Sequence, residues 1–217
     1  MLVIFIYTAN SLLNDSHEER QIIIEGALKL GIKISQQKFD QLINYLELIL
    51  KWNKVHNLTA IDSFSEGVRK HILDSLSVLN FVKKGKILDV GSGAGLPGIV
   101  IALMRDDVDV TSIDSVGKKC RFMEHAKLNL DLENFNVIND RVEIYKTDLC
   151  FNQIVSRAFA TFKETKQLTS HLICPEGEYL FMKGKHYKME SISEDFIENK
   201  VNVPFVSEER FIIQMKA

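Results

Sequence analysis

Near the start of the chain, apolar residues recur at steps of three and four in two stretches. One runs from about His17 to Leu30 and the other from about Ser35 to Asn53, where Phe39, Leu42, Ile43, Leu46, Ile49 and Leu50 form one stripe. A stripe of that period is an amphipathic helix with one buried face. Gly31 supplies a stop for the first helix and Ser35 an N-cap for the second. A third helical stretch runs from Glu66 to Val82 and ends before Lys83-Lys84-Gly85. Residues 1–84 therefore read as an N-terminal helical extension.

After Gly85 the period changes. Short apolar runs at Lys86–Val90, Val108–Ile113, Asn136–Ile138, Gln153–Ser156 and Glu178–Met182 alternate with helical segments at Pro97–Met104, Gly117–Leu130 and Thr161–Leu172. This alternation predicts βαβ units around a mostly parallel sheet over residues 85–217. The tail holds two more apolar runs, Val201–Val206 and Arg210–Met215, only a few residues apart. Parallel neighbours need a crossover of a dozen or more residues, so this pair is expected to be an antiparallel hairpin.

Composition narrows the function classes. The 217 residues carry 27 basic and 29 acidic side chains, a net charge of −2, so any nucleic-acid contact must come from a local patch. No apolar run approaches the roughly 18 residues of a membrane span. The apolar opening Met1–Tyr7 lacks the basic segment and length of a secretory signal. Cys120, Cys150 and Cys174 are too few and too scattered for a disulfide framework or a zinc site, which points to a reducing cytoplasm. The six histidines show no metal-binding spacing, and no metal is expected.

The string Asp89-Val90-Gly91-Ser92-Gly93-Ala94-Gly95-Leu96-Pro97-Gly98 sits where the first strand gives way to a helix. Glycines let the backbone approach a ligand closely, and a helix N-terminus offers unpaired N–H groups. Asp114, at the end of the second strand, is placed to accept hydrogen bonds from ribose hydroxyls. The ligand should therefore contain a nucleoside. Nicotinamide dinucleotides, flavins and S-adenosylmethionine all use this position. Asp89 tips the choice, because an acid there suits an ammonium and a sulfonium better than a pyrophosphate.

The string resembles the first signature of class I methyltransferases, whose sheet is Rossmann-like and seven-stranded, with an antiparallel strand near the C-terminus. Further strings narrow the likeness. These are Lys51-Trp52-Asn53-Lys54, Asn57-Leu58-Thr59, His71-Ile72-Leu73-Asp74-Ser75-Leu76, Gly95-Leu96-Pro97-Gly98, Asp114-Ser115 with Lys118-Lys119, and Ser156-Arg157-Ala158. In this order they resemble the GidB/RsmG family of bacterial 16S ribosomal RNA guanine-N7 methyltransferases. The resemblance implies S-adenosylmethionine as cofactor, with contacts at Gly91, Leu96, Val142, Glu143 and Arg157 alongside Ser92 and Gly93 of the loop. It also implies 16S ribosomal RNA or the small ribosomal subunit as partner; the enzyme itself is expected to be a cytoplasmic monomer.

Guanine N7 carries an in-plane lone pair and needs no deprotonation, so positioning should dominate the rate and no general base is required. Arg157 is the candidate catalytic residue, able to bond the cofactor's carboxylate end or the O6/N7 edge of guanine. Arg141 and Glu143 would flank the adenine. His71 and Asp74, three apart, could pair, and Trp52 reads as core packing. Basic clusters at Lys51/Lys54, Arg69-Lys70-His71, Lys118-Lys119 with Arg121, and Lys183 to Lys188 are candidates for RNA phosphate. The competing readings are a methyltransferase of another substrate, a ribosome-assembly factor that keeps a nucleoside pocket, and a nicotinamide-dependent oxidoreductase.

Overall fold

A computed structural model describes residues 18–190 and 195–217. The apolar opening Met1–Tyr7 lies outside them. Helix α1 covers 18–29, and α2, Gln36–His56, begins at an N-cap Ser35 whose side chain accepts from the Lys38 N–H. It buries Phe39, Leu42, Ile43, Tyr45, Leu46 and Ile49, the stripe that the spacing marks, and ends at a left-handed Asn57. The stretch expected to be one helix over 66–82 is divided: α3 (Phe64–Gly67), a π-helical turn (Val68–Leu73), α4 (Asp74–Leu76) and a 3-10 turn at Leu79–Phe81.

From Gly85 onward strands and helices alternate: β1 (Gly85–Val90), α5 (Gly98–Met104), β2 (Val108–Ile113), α6 (Gly117–Asn129), β3 (Phe135–Ile138), β4 (Phe151–Arg157), α7 (Phe162–Thr169), β5 (Ile173–Gly184), β6 (Phe196–Val201) and β7 (Arg210–Lys216). The seven strands lie in the order β3-β2-β1-β4-β5-β7-β6. β1 to β5 run parallel, and β7 is inserted antiparallel between β5 and β6. This is the mostly parallel α/β sheet with an antiparallel C-terminal strand that the alternation and the resemblance predict.

The hairpin is present, but its first strand is misplaced by the apolar pattern. It falls on Phe196–Val201 rather than Val201–Val206. Pro204 has no N–H to give to a ladder and Phe205 is left-handed at φ 63°, so that run turns, with Val203 tucked into the core.

Alternation along the strands divides the core in two. Ile87, Val155, Leu180 and Ile212 face α2, α5, α6 and the divided helical stretch, whereas Leu88, Ile154, Tyr179, Phe181 and Ile213 face Phe162 of α7. The N-terminal helices thus share one continuous core with the sheet. Trp52 packs on that core, its ring 5.5 Å from Phe122 and flanked by His56 and His125.

The cysteine expectation needs correction. Cys150 and Cys174, 24 positions apart in the sequence, form a disulfide with Cα atoms 5.0 Å apart. β4 and β5 are neighbours whose N-terminal ends lie side by side, with Phe151 opposite Ile173, and a count of scattered cysteines cannot show that. Cys174 sits in β5.

Candidate active site

The turn from β1 into α5 is built around three left-handed glycines, Gly91, Gly93 and Gly95, at φ 67°, 61° and 86°. Gly91 N–H donates to the Ile113 carbonyl at 3.0 Å, and Gly95 N–H and Leu96 N–H donate to Ser92 O at 2.8 and 3.0 Å. From the other side, buried Tyr45 of α2 donates its hydroxyl to the Ala94 carbonyl at 2.6 Å. The helical extension therefore helps to hold the loop.

Two cavities open at the carboxyl edge of the sheet, on either side of Gly91 and Ala158. The first, about 630 Å³, is lined by Val90, Ile113, Val142 and Leu168 together with Asp114 and Glu143. The second, about 620 Å³, is lined by Ser92, Gly93, Leu96 and Arg157 together with Asp74 and Arg210. Gly91, Ser92, Gly93, Leu96, Asp114, Val142, Glu143 and Arg157, the expected cofactor contacts, all line one or both of these cavities.

Asp114 is buried and accepts from Gly93 N–H at 2.9 Å and Val116 N–H at 2.8 Å, with Lys119 Nζ 3.7 Å away. It therefore ties the glycine loop to the start of α6. A carboxylate has about four lone-pair sites, so acceptor capacity remains. Lys119 belongs to this cluster, while Lys118 beside it makes no ion pair among the described residues. Glu143 accepts from Arg141 Nε at 2.6 Å, and its own backbone N–H and that guanidinium hold its carboxyl below the usual range.

Asp89 departs from the expectation. It is fully buried and turned beneath the loop, where Oδ2 accepts from Gly98 N–H at 3.1 Å and Ser112 Oγ at 3.0 Å, and it lines neither cavity. These bonds fix the start of α5 on β2, while Oδ1 is buried with no hydrogen-bond partner among the described residues. Burial pushes its pKa up to about 6 against these hydrogen bonds.

The pairing of His71 with Asp74 is not formed either. His71 Nε2 lies 3.1 Å from Thr59 Oγ1, whereas Asp74 takes two guanidiniums: Arg157 Nη1 at 3.3 Å and Arg210 Nε at 2.8 Å. The π-helical turn rotates the segment so that residues three apart no longer stack as on an α-helix. Arg157 Nη1 also donates to the Lys70 carbonyl at 3.0 Å. Arg210 went unmarked in the sequence, because it opens β7 outside any motif. Its only signal is a cation at the start of the second run of the expected C-terminal hairpin.

Burial first, and then the charge of Arg157, lowers the His71 pKa from 6.5 to about 4. The unfolded chain takes up that proton before the native protein does. His71 therefore contributes a loss of stability as pH falls from about 6.5 to about 4, worth about 3 kcal/mol, and none above that window. Asp89 acts oppositely, since its raised pKa favours the native state as pH falls from about 6 towards 3.8. The comparison of wild type with His71→Leu isolates the first effect. In denaturant unfolding from pH 8 to pH 4, we expect the stability gap to move in the variant's favour below pH 6.5. A gap independent of pH would show that His71 is protonated as readily in the fold as outside it.

The comparisons with known proteins give the family and the fold. The family model GidB, described as rRNA small subunit methyltransferase G, matches residues 38–209. A ribosomal RNA small subunit methyltransferase G from Ruthia magnifica subsp. Calyptogena magnifica is 49% identical over 192 residues, 88% of this chain and 95% of that protein. The protein of that name from Pseudomonas fluorescens is 42% identical over 177 residues, 82% of each chain. Among solved structures, a putative caffeoyl-CoA O-methyltransferase from Staphylococcus aureus matches with a TM-score of 0.56 at 15% identity, covering 91% of this chain and 99% of that one. A SAM-dependent methyltransferase from Aquifex aeolicus matches at 0.53 and 18% identity, covering 77% and 97%. These two show a shared class I methyltransferase fold. With family match and sequence relatives spanning most of its length, the chain belongs to the GidB family of small-subunit rRNA methyltransferases.

Proposed function

We propose that this protein transfers the methyl group of S-adenosylmethionine to a guanine N7 of small-subunit (16S) ribosomal RNA. The observation that carries the reading is the pair of cavities meeting at Gly91, the first combining apolar side chains with the carboxylates of Asp114, Asp140, Glu143 and Glu164, the second carrying more cations than anions. The first suits an adenosine: Val142, Ile113 and Leu168 offer apolar surface to a base, and Asp114 offers acceptor capacity to ribose hydroxyls. The second suits a methionine carboxylate and a target base, through the guanidinium donors of Arg157 and Arg210. Bound S-adenosylmethionine supplies an activated methyl group on a sulfonium. The chain's part is alignment, and N7 already presents its lone pair, so no residue of the second cavity has to take a proton.

For RNA, α2 and α6 lie side by side and present Lys51, Lys54, Lys118 and Arg121, none in an ion pair among the described residues. Such cations are available to phosphates. We read residues 1–84 as the extension that presents substrate to a methyltransferase domain over 85–217, with Gly91, Ser92, Gly93, Leu96, Asp114, Val142, Glu143 and Arg157 as its cofactor contacts. The protein acts as a cytoplasmic monomer on 16S RNA or the small subunit.

The test is to supply labelled S-adenosylmethionine with small subunits, and separately with naked 16S RNA, from cells lacking this gene, and to map the labelled base. Label on one guanine N7 is the expected result. Label on protein, on another base atom, or on no macromolecule overturns it.

A further inference from the structure

The second cavity holds two guanidiniums that converge on a single carboxylate. Asp74 lies at the first position of α4, directly after the π-helical turn, and its side chain is 8% exposed. Its Oδ1 takes Arg210 Nε at 2.8 Å and its Oδ2 takes Arg157 Nη1 at 3.3 Å. The two arginines come from separate elements, the end of β4 and the start of β7, and are 22% and 23% exposed. Like charges held this close repel strongly where water is largely excluded, so each keeps its place only because an anion stands between them. Each guanidinium has five N–H donors in a rigid fork. Arg157 spends Nη1 on Asp74 and the Lys70 carbonyl, while Arg210 spends Nε on Asp74 and Nη1 on the Glu209 carbonyl. Each fork keeps N–H groups, and the triad keeps one net positive charge for an incoming anionic or acceptor group.

We propose that Asp74 is a positioning residue for methyl transfer: from the helical extension, it fixes the forks of Arg157 and Arg210 at the angle that receives the cofactor's carboxylate end and the target base. The inference rests on the functional reading above. It also gives the extension a share in the active site, since the carboxylate that orders both arginines lies outside residues 85–217. The π-helical turn has a specific use here, because Arg157 takes up the Lys70 carbonyl of that turn and the same turn sets the direction of Asp74.

The test compares wild type with Asp74→Asn, Asp74→Glu and Asp74→Ala, alone and in an Arg157→Ala background. S-adenosylhomocysteine affinity is measured by calorimetry, thermal unfolding is followed on the same samples, and kcat and KM are taken on small subunits. Asn keeps the shape and an acceptor but removes the charge. We expect Asp74→Asn to unfold within a few degrees of wild type while its affinity falls at least tenfold, and Asp74→Glu to recover part of the loss. In the Arg157→Ala background Asp74→Asn should lower affinity by a smaller factor than it does alone, because only the part of its effect that passes through Arg210 remains. Wild-type affinity and kcat in Asp74→Asn, or an equal loss in both backgrounds, would overturn the proposal. So would a loss of affinity that tracks unfolding in Asn, Glu and Ala alike. Calorimetry needs no RNA, so wild type that binds S-adenosylhomocysteine but methylates no subunit would count against the functional reading and not against Asp74.

Discussion

Gly91→Val is expected to weaken S-adenosylmethionine binding by at least about 100-fold, close to 3 kcal/mol. Two features of the same position add. Its φ of 67° is the left-handed region, which costs an L-residue about 1–2 kcal/mol and a β-branched one more. A Cβ there would also stand 2.4 Å from Cδ2 of the Phe159 ring and 3.1 Å from its Cγ. Phe159 lines the first cavity, so relief comes only if the ring swings into the space proposed for adenosine or the loop shifts away. Gly93→Ala is the control. It sits at φ 61° with nothing within 4 Å of the added carbon, so it carries backbone strain without the overlap. Calorimetry on both variants should show the larger affinity loss at Gly91, with thermal unfolding lowered in each. Wild-type affinity in Gly91→Val would mean that the cofactor does not approach this turn.

The order of strands and helices was legible because burial alternates at two different periods on either side of Gly85. The glycine loop was legible because its residues are contiguous and each answers a local demand of the backbone. What escaped the sequence depends on contacts between distant segments. Asp89 looks from the string like a residue facing the ligand, yet the strand pleat turns it under the loop to Ser112, 23 positions away. Asp74 and Arg210, 136 positions apart, meet because β7 is inserted beside β5, and no local pattern records that order. The division of the third helix was hidden for another reason. Its apolar residues keep a helical spacing through the π-helical turn, so periodicity alone gave no sign of the register change that aims Asp74 at the arginines.

Arg157→Ala should lower kcat/KM for small-subunit methylation by about 10² to 10³, the range seen when a preorganised donor at a reacting centre is removed. The side chain ends β4 at the carboxyl edge, where ligands of open α/β sheets bind, and its guanidinium is held by the Lys70 carbonyl and Asp74 while it lines the second cavity. Alanine leaves Asp74 to Arg210 alone and removes every donor of the fork. Arg157→Lys retains a charge but presents a point ammonium in place of a planar fork, so it should recover no more than about tenfold. The division between constants assigns the role. If Arg157 binds the cofactor's carboxylate end, KM for S-adenosylmethionine rises with little change in kcat. If it reads the base edge, that KM stays put and kcat falls, because the base is then misaligned with the methyl group by a distance that matters exponentially to the rate. A kcat/KM within threefold of wild type in Arg157→Ala would remove the residue from the reaction. Its hydrogen bonds to the π-helical turn and Asp74 would then serve only to fasten the helical extension to the end of β4.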